Sequence, residues 1–265
     1  MKFSQISTFF FLLIISVTLL FFTSCGESST SVDDGGDPPA IPEAIPVEVE
    51  TDYFTQNQPA FSEETTAWYE AAGYAQAAAA SLNSGTLLGA GFLSIAQQSN
   101  GELDDGIWEW TFTFSQGGET LTIRLTAEAL GNAYQWNVYL SGNSLQSDET
   151  LDNFLFMTGT VESDGSSGNW DYYFPGFESV AMDYEWELTS ETSYTSDFIY
   201  TNPDTGSQAI ITYERDGDVN TVNASGDDFD TNADLLWNTS TLEGSITLDG
   251  VTTCWDSSFQ EAACD

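Results

Sequence analysis

The chain has no histidine and only three basic residues among its 265. Without histidine it cannot build a Ser-His-Asp or Cys-His catalytic apparatus, or the usual histidine-containing zinc site. Lys2 is the only lysine, so Schiff-base chemistry and phosphate binding by a P-loop lysine are excluded from the rest of the chain. These absences leave carboxylate chemistry, calcium coordination or binding without catalysis.

Positive charge is almost absent after the first residues. From Cys25 onward, 42 acidic residues stand against two arginines, a formal charge of −40. Such a chain repels nucleic acid, nucleotides and anionic lipid surfaces. Its partners are therefore expected to be neutral or cationic, and counter-ions are expected to screen the self-repulsion of the folded state.

The N-terminus has the layout of an export signal. Lys2 provides a short positive region, and residues 9–22 form a continuous apolar run. This run is shorter than the roughly 20 apolar residues that a bilayer-spanning helix needs, and it suits a cleavable signal peptide. The sequence predicts a signal peptide over residues 1–24.

The end of this signal, Phe22-Thr23-Ser24-Cys25, resembles the lipobox of bacterial secretory lipoproteins, although Phe22 stands where leucine is usual. The resemblance implies that Cys25 becomes the first mature residue and carries acyl chains such as palmitate. It further implies a membrane anchor in the bacterial cell envelope, as in an outer-membrane lipoprotein. The alternative is an ordinary signal peptide followed by a chance cysteine.

The remaining chain divides by composition. Residues 25–52 are rich in Ser, Asp, Gly, Pro and Glu, which predicts a disordered tether. Residues 53–265 are expected to form one folded domain, with a helical cover over 53–100 and an antiparallel β region over 101–265. In the cover, Ser62 is a candidate N-cap, and Asn83-Ser84-Gly85 is expected to separate two alanine-rich helices that pack on the sheet.

After Gly101 the apolar residues alternate with polar ones, which is typical of strands with one buried face. The clearest alternating sets are Trp108 to Phe114, Leu121 to Leu125, Tyr134 to Leu140, Trp170 to Phe174 and Val180 to Leu188. Turn pairs such as Asp216-Gly217 and Asp249-Gly250 separate the segments. The sequence thus predicts a mainly β fold, a curved antiparallel meander of about ten to twelve strands in the form of a barrel, half-barrel or sandwich.

Cys254 and Cys264 remain as a pair once Cys25 is assigned to lipidation. Because oxidation is permitted outside the cytoplasm, a disulfide between them is expected. It would hold the C-terminal tail to the last strands. Two free thiols are the alternative.

Aromatic residues on the alternating face allow two interpretations. They are either core residues or the lining of a cavity for a hydrophobic ligand inside a curved sheet. At the level of architecture the folded part is similar to periplasmic lipoprotein carriers, in which a curved sheet faced by helices holds acyl chains. The candidate ligand-binding residues are Trp108, Trp110, Trp136, Trp170 and Trp186.

Acidic residues supply the other candidates. Asp183, Glu185 and Glu187 alternate on one strand, at a spacing that a carboxylate-pair glycosidase could use, although a solvated strand face has the same pattern. Oxygen ligands for calcium are offered by Asp216, Asp218, Asn220, Asp228 and Asp230. No EF-hand pattern is present among them, and a plain acidic turn is the alternative.

The sequence therefore favours a lipid-anchored envelope protein that binds a hydrophobic or neutral ligand without catalysis and without any cofactor apart from calcium. A surface carbohydrate-binding or adhesive module supported by calcium is the second hypothesis, and a carboxylate-based glycosidase is the third.

Overall fold

The computed structural model describes residues 39, 48–96, 101–116, 119–143 and 150–264. Cys25 and residues 25–38 and 40–47 of the predicted tether lie outside the described residues. The described helices are α1 (Asp52–Gln56) and α2 (Thr66–Ala96), with a 3-10 turn at Glu63–Thr65 before α2. None of the described helices is long and apolar enough to cross a bilayer.

Fourteen strands follow among the described residues. They are β1 (Glu102–Asp104), β2 (Ile107–Gln116), β3 (Glu119–Leu130), β4 (Ala133–Asn143), β5 (Thr150–Glu162), β6 (Ser167–Tyr173), β7 (Val180–Ser190), β8 (Ser193–Thr201), β9 (Gln208–Asp216), β10 (Val219–Ser225), β11 (Ala233–Asn238), β12 (Gly244–Leu248), β13 (Val251–Trp255) and β14 (Glu261–Ala262).

The strands form an antiparallel meander in which the order in the sheet is the order in the chain. The predicted mainly β fold is confirmed. There are more strands than the expected ten to twelve because β1 has three residues and β14 has two. Strands this short have no room for the alternation by which the longer ones were recognised.

The chain divides into two compact units, and each is described by itself. Among the described residues, the first unit contains 39, 86–96, 101–116, 119–143 and 150–180. The second unit contains residues 48–85 and 181–264. The second unit thus includes residues 48–52, which the sequence analysis assigned to the tether.

Alternating burial explains why the strands form. On β7 the side chains of Met182, Tyr184 and Trp186 are buried, whereas Glu185 and Glu187 are exposed. An antiparallel strand with this pattern buries one face and solvates the other. The two exposed carboxylates therefore have the placement expected of an ordinary strand face.

Helix α2 is one continuous helix, so the predicted break at Asn83-Ser84-Gly85 is wrong. The hydroxyl of Ser84 donates to the carbonyl of Ser81 at 2.5 Å, which satisfies it within the helix. A Cβ on Gly85 would lie 3.0 Å from Cγ of Tyr184. The helix thus packs closely on β7 at this glycine, and a larger residue there would require the side chain of Tyr184 to shift by a few tenths of an ångström.

The predicted N-cap, Ser62, caps the 3-10 turn at Glu63–Thr65 that leads into α2. Ser62 has an extended backbone, and its N–H donates to Oγ1 of Thr65 at 2.9 Å. Thr65 thus takes the place that Glu or Gln has in a capping box. Glu63 and Glu64 lie in the first turn, where negative charge complements the helix dipole.

The core of the second unit is built from aromatic side chains. Phe54 packs against Trp68 and Trp237, with ring centroids 5.5 and 5.3 Å away. The indole N–H of Trp255 donates to the hydroxyl of Tyr53 at 2.8 Å, and that hydroxyl donates to the carbonyl of Leu242 at 2.8 Å. Burial raises the pKa of Tyr53 to about 12.

Residues 48–51, which were assigned to the tether, are bonded to strands β8 and β9. The hydroxyl of Tyr194 donates to the carbonyl of Glu48 at 2.6 Å, and the N–H of Glu50 donates to the hydroxyl of Tyr213 at 3.1 Å. Arg215 pairs with the carboxylate of Glu50 at 3.5 Å. Burial raises the pKa of Tyr213 above its ordinary value, so this contact is made by a neutral phenol.

A disulfide joins Cys254 to Cys264, whose Cα atoms are 5.3 Å apart, in agreement with the predicted pair. Cys254 lies opposite Ala262 in the pairing of β13 with β14. The bridge therefore holds the final strand against the edge of β13.

Candidate hydrophobic binding site

The five predicted ligand-binding tryptophans do not come together as one set. Trp108, Trp110 and Trp136 form a stacked row in the first unit, with successive centroids 6.2 and 6.0 Å apart. Trp170 lies elsewhere in that unit, and Trp186 belongs to the second unit, where it stacks on Tyr184. Four of the five, all except Trp108, are at most 2 % exposed, which places them in the core.

Helix α2 occupies the face of the sheet beside Trp170. A Cβ on Gly89 would lie 2.9 Å from the indole nitrogen of Trp170 and 3.2 Å from the hydroxyl oxygen of Tyr172. Near the end of the helix, the ring of Phe92 lies 5.4 Å from that of Phe156 on β5. Over β5 and β6, side chains of the helix and of the sheet therefore fill this face.

The same apolar face is less covered farther along β2 to β5. Trp110, Leu125, Val138 and Met157 form one cross-strand row, and each is at most 2 % exposed. The next row is Phe112, Ile123, Leu140 and Phe154. In this second row only Ile123 is fully buried.

One further pair, Phe114 and Leu121, continues the half-buried region toward the strand ends. We refer to the five half-buried residues as the Phe112 patch; they are Phe112, Phe114, Leu121, Leu140 and Phe154. Because paired residues in a sheet share a face, these side chains are neighbours. Adjacent large apolar groups that stay partly exposed are typical of a binding surface.

Two irregularities in the pairing of β4 with β5 adjoin the patch. Val138 pairs with Met157 but Tyr139 pairs with Leu155, which leaves Phe156 as an extra residue; a second shift lies between Leu140 and Gly142. Bulges bend a strand and reorient its side chains, and they are frequent beside functional sites. Here they place Phe154 in the half-buried row while Phe156 contacts α2.

The opposite face of these strands carries a bonded polar network. Arg124 donates to Glu109 at 3.1 Å and to Asn153 at 3.0 Å, and its guanidinium lies 4.1 Å from the ring centroid of Tyr139. Beside it, the Thr158 hydroxyl donates to the amide oxygen of Asn137 at 2.7 Å. This face thus carries side-chain hydrogen bonds that join neighbouring strands, whereas the opposite face is apolar.

The predicted calcium ligands do not converge. Asn220 is fully buried, and its amide oxygen accepts from the hydroxyl of Tyr213 at 2.7 Å. Asp216 accepts from Ser193 at 3.0 Å, and Asp228 bonds to Ser207. In the described part of the chain, no three or more His, Cys, Asp or Glu side chains lie close enough together to hold a metal ion. Asp218 and Asp230 are therefore not part of such a group.

Sequence reasoning missed the Phe112 patch as a site, although it recognised four of the five residues as strand positions. Their alternation shows which face they occupy. The alternation does not show how far helix α2 extends over that face. Whether a phenylalanine on this face is half-buried or fully buried depends on that extent.

No protein-family model, curated protein or solved structure matches this chain.

Proposed function

We propose that this protein is a lipid-anchored protein of the bacterial cell envelope, an outer-membrane lipoprotein, which binds an apolar ligand such as an acyl chain at the Phe112 patch without catalysis. The observation that carries the ligand proposal is that three of the four residues in the second row, Phe112, Leu140 and Phe154, are half-buried on a face whose first row is fully buried. The lipobox-like sequence at Cys25 supports the anchor.

The chemistry of the patch favours an uncharged, flexible ligand. Its five side chains are aromatic or aliphatic, and burying one such side chain contributes about 1.5–3 kcal/mol. The net charge of −39 for the whole chain disfavours a strongly anionic ligand. An ester or amide-linked acyl chain meets both conditions.

The anchor is tested by growing cells with a fatty-acid probe. We expect label on the wild-type protein and none on a Cys25→Ser variant, which should also leave the membrane fraction. An unlabelled wild-type protein would refute the lipidation proposal while leaving the ligand proposal open to its own test.

The ligand is tested by native mass spectrometry of the envelope-purified protein and by titration with a fluorescent acyl-chain probe. Phe154→Ala should weaken probe binding by about tenfold or more, because a phenyl group of the site is lost. Phe177→Ala, at a half-buried phenylalanine outside the patch, is the matched control and should leave probe binding unchanged. Equal effects of the two variants, or no probe binding by the wild type, would contradict the proposal.

A further inference from the structure

Within the described part of the chain, strand β2 is paired along its full length on one side only. With β3 it pairs from Ile107 to Gln116. On the other side β1 pairs with Ile107, Trp108 and Glu109 alone. Among the described strands, none pairs with residues 110–116 on that side.

These seven residues lack the features by which proteins usually protect a sheet edge. The segment, WTFTFSQ, contains no proline and no charged residue, and its pairing with β3 shows no bulge. Proteins usually place lysine, proline or bulges on such an edge to prevent pairing with another chain. At the other end of the sheet, by contrast, the disulfide at Cys254 holds β14 against β13.

The side chains of the open segment divide into two kinds. Phe112 and Phe114 are half-buried on the apolar face, and Thr111, Thr113 and Ser115 are exposed on the other. A strand added here would find apolar contacts on one face and small hydroxyl groups on the other. The open backbone spans about 23 Å at 3.3 Å per residue.

Charge around the edge is negative. Glu102 lies directly opposite Glu109 in the pairing of β1 with β2, an arrangement that destabilises a sheet unless cations compensate it. Arg124 pairs with Glu109 at 3.1 Å, but in the described part of the chain no basic side chain pairs with Glu102. Asp104 and Asp105 are exposed beside them.

We propose that residues 110–116 dock an extended segment of a partner protein, in which lysine or arginine alternates with apolar residues, as an added strand of the sheet. Its apolar side chains would contact Phe112 and Phe114. Its cationic side chains would lie on the face of Thr111 and Thr113, toward Glu102 and Glu109. A second copy of this chain is a poorer occupant, because it carries the same net charge of −39 and no lysine for this face.

The probe is a synthetic peptide of alternating valine and lysine, seven residues long and dye-labelled, titrated into the full-length protein in phosphatidylcholine nanodiscs at low salt. We expect saturable binding with slowed hydrogen exchange in β2, and weaker binding as salt screens the charges. A peptide with alternate N-methyl groups keeps the charge but loses the ladder hydrogen bonds, and it should bind about tenfold more weakly or worse.

Matched variants locate the site. Thr113 and Thr252 are both exposed and both hydrogen-bond to a threonine across the strand pair, Thr122 at 3.2 Å and Thr247 at 2.8 Å. Thr113→Lys should weaken peptide binding by up to about fivefold through like-charge repulsion, and Thr252→Lys should have no effect. Neither variant should change acyl-probe binding, which separates this proposal from that of the Phe112 patch.

Three results would overturn the proposal. The first is equal binding of the N-methylated peptide, which would indicate charge attraction alone. The second is equal weakening by the two lysine variants. The third is slowed exchange in β2 on raising the protein concentration without peptide, which would identify a second copy as the occupant.

Discussion

Two glycines of helix α2 provide a direct test of how the helix is seated on the sheet. A Cβ on Gly89 would lie 2.9 Å from the indole nitrogen of Trp170, whereas a Cβ on Gly73 would meet nothing within 4 Å. Both residues lie inside the same helix. Replacing each with alanine therefore changes helix propensity equally and packing unequally.

The magnitudes follow from these distances. Gly73→Ala should raise the free energy of unfolding by about 0.8–1 kcal/mol, the difference in helix propensity between the two residues. At Gly89 the same gain is opposed by overpacking against Trp170 and Tyr172, which costs about 1–3 kcal/mol. Gly89→Ala should therefore be neutral or destabilising, and the two variants should differ by about 1–3 kcal/mol.

The assay is urea unfolding followed by tryptophan fluorescence and far-UV circular dichroism, with the slope of each transition compared to detect separate unfolding of the two units. Hydrogen exchange of the helix amides gives an independent local measurement. If both variants stabilise the protein by the same amount, α2 does not lie against Trp170, and the account of the filled face is wrong.

The remaining predictions concern single groups. The pKa of Tyr53 is raised to about 12, so its neutral hydroxyl contributes fully to the free energy of unfolding below the unfolded pKa near 10, and this contribution is lost as the pH rises from about 10 to 12. In unfolding experiments at a series of pH values, Tyr53→Phe should therefore lose less stability over this range than the wild type. The same pH profile for both proteins would contradict this prediction. Reducing the Cys254–Cys264 bridge should lower stability by about 2–3 kcal/mol and leave the far-UV spectrum intact, whereas loss of the β signal would show a larger role. Trp237→Ala should lower the free energy of unfolding by about 3–5 kcal/mol, because it leaves a cavity beside Phe54. A loss below about 1 kcal/mol would show that Trp237 does not pack in the core as described.

The strands were predictable because their signal is local. In β2, Trp110 is buried while Thr111 and Thr113 are exposed, and a two-residue period shows this without any knowledge of tertiary structure. The disulfide was predictable from the number of cysteines. The cap at Ser62, which begins the 3-10 turn before α2, was predictable because a capping residue acts on the turn that follows it.

What failed depended on distant residues. The helix α2 continues through Gly85, which lies close to the ring of Tyr184, about a hundred residues later. Asn220 has the residue type of a calcium ligand, but Tyr213 holds its amide oxygen in the core. Residues 48–51 have the composition of a linker, yet the hydroxyls of Tyr194 and Tyr213 bind their backbone. Composition alone carries no information about such partners.

The bonds made by residues 48–53 also have a consequence for the order of assembly. Tyr53 is among the first folded residues to be synthesised, and its partner Trp255 follows 202 residues later. At a synthesis rate of about 5–20 residues per second, Trp255 is made about 10–40 s after Tyr53. The interval between Glu50 and its partner Tyr213 is almost as long, because the two residues are 163 positions apart. The core of the second unit therefore cannot be completed until nearly the whole chain has been synthesised, and its first hydrogen-bonding residues are also the ones whose partners are made last.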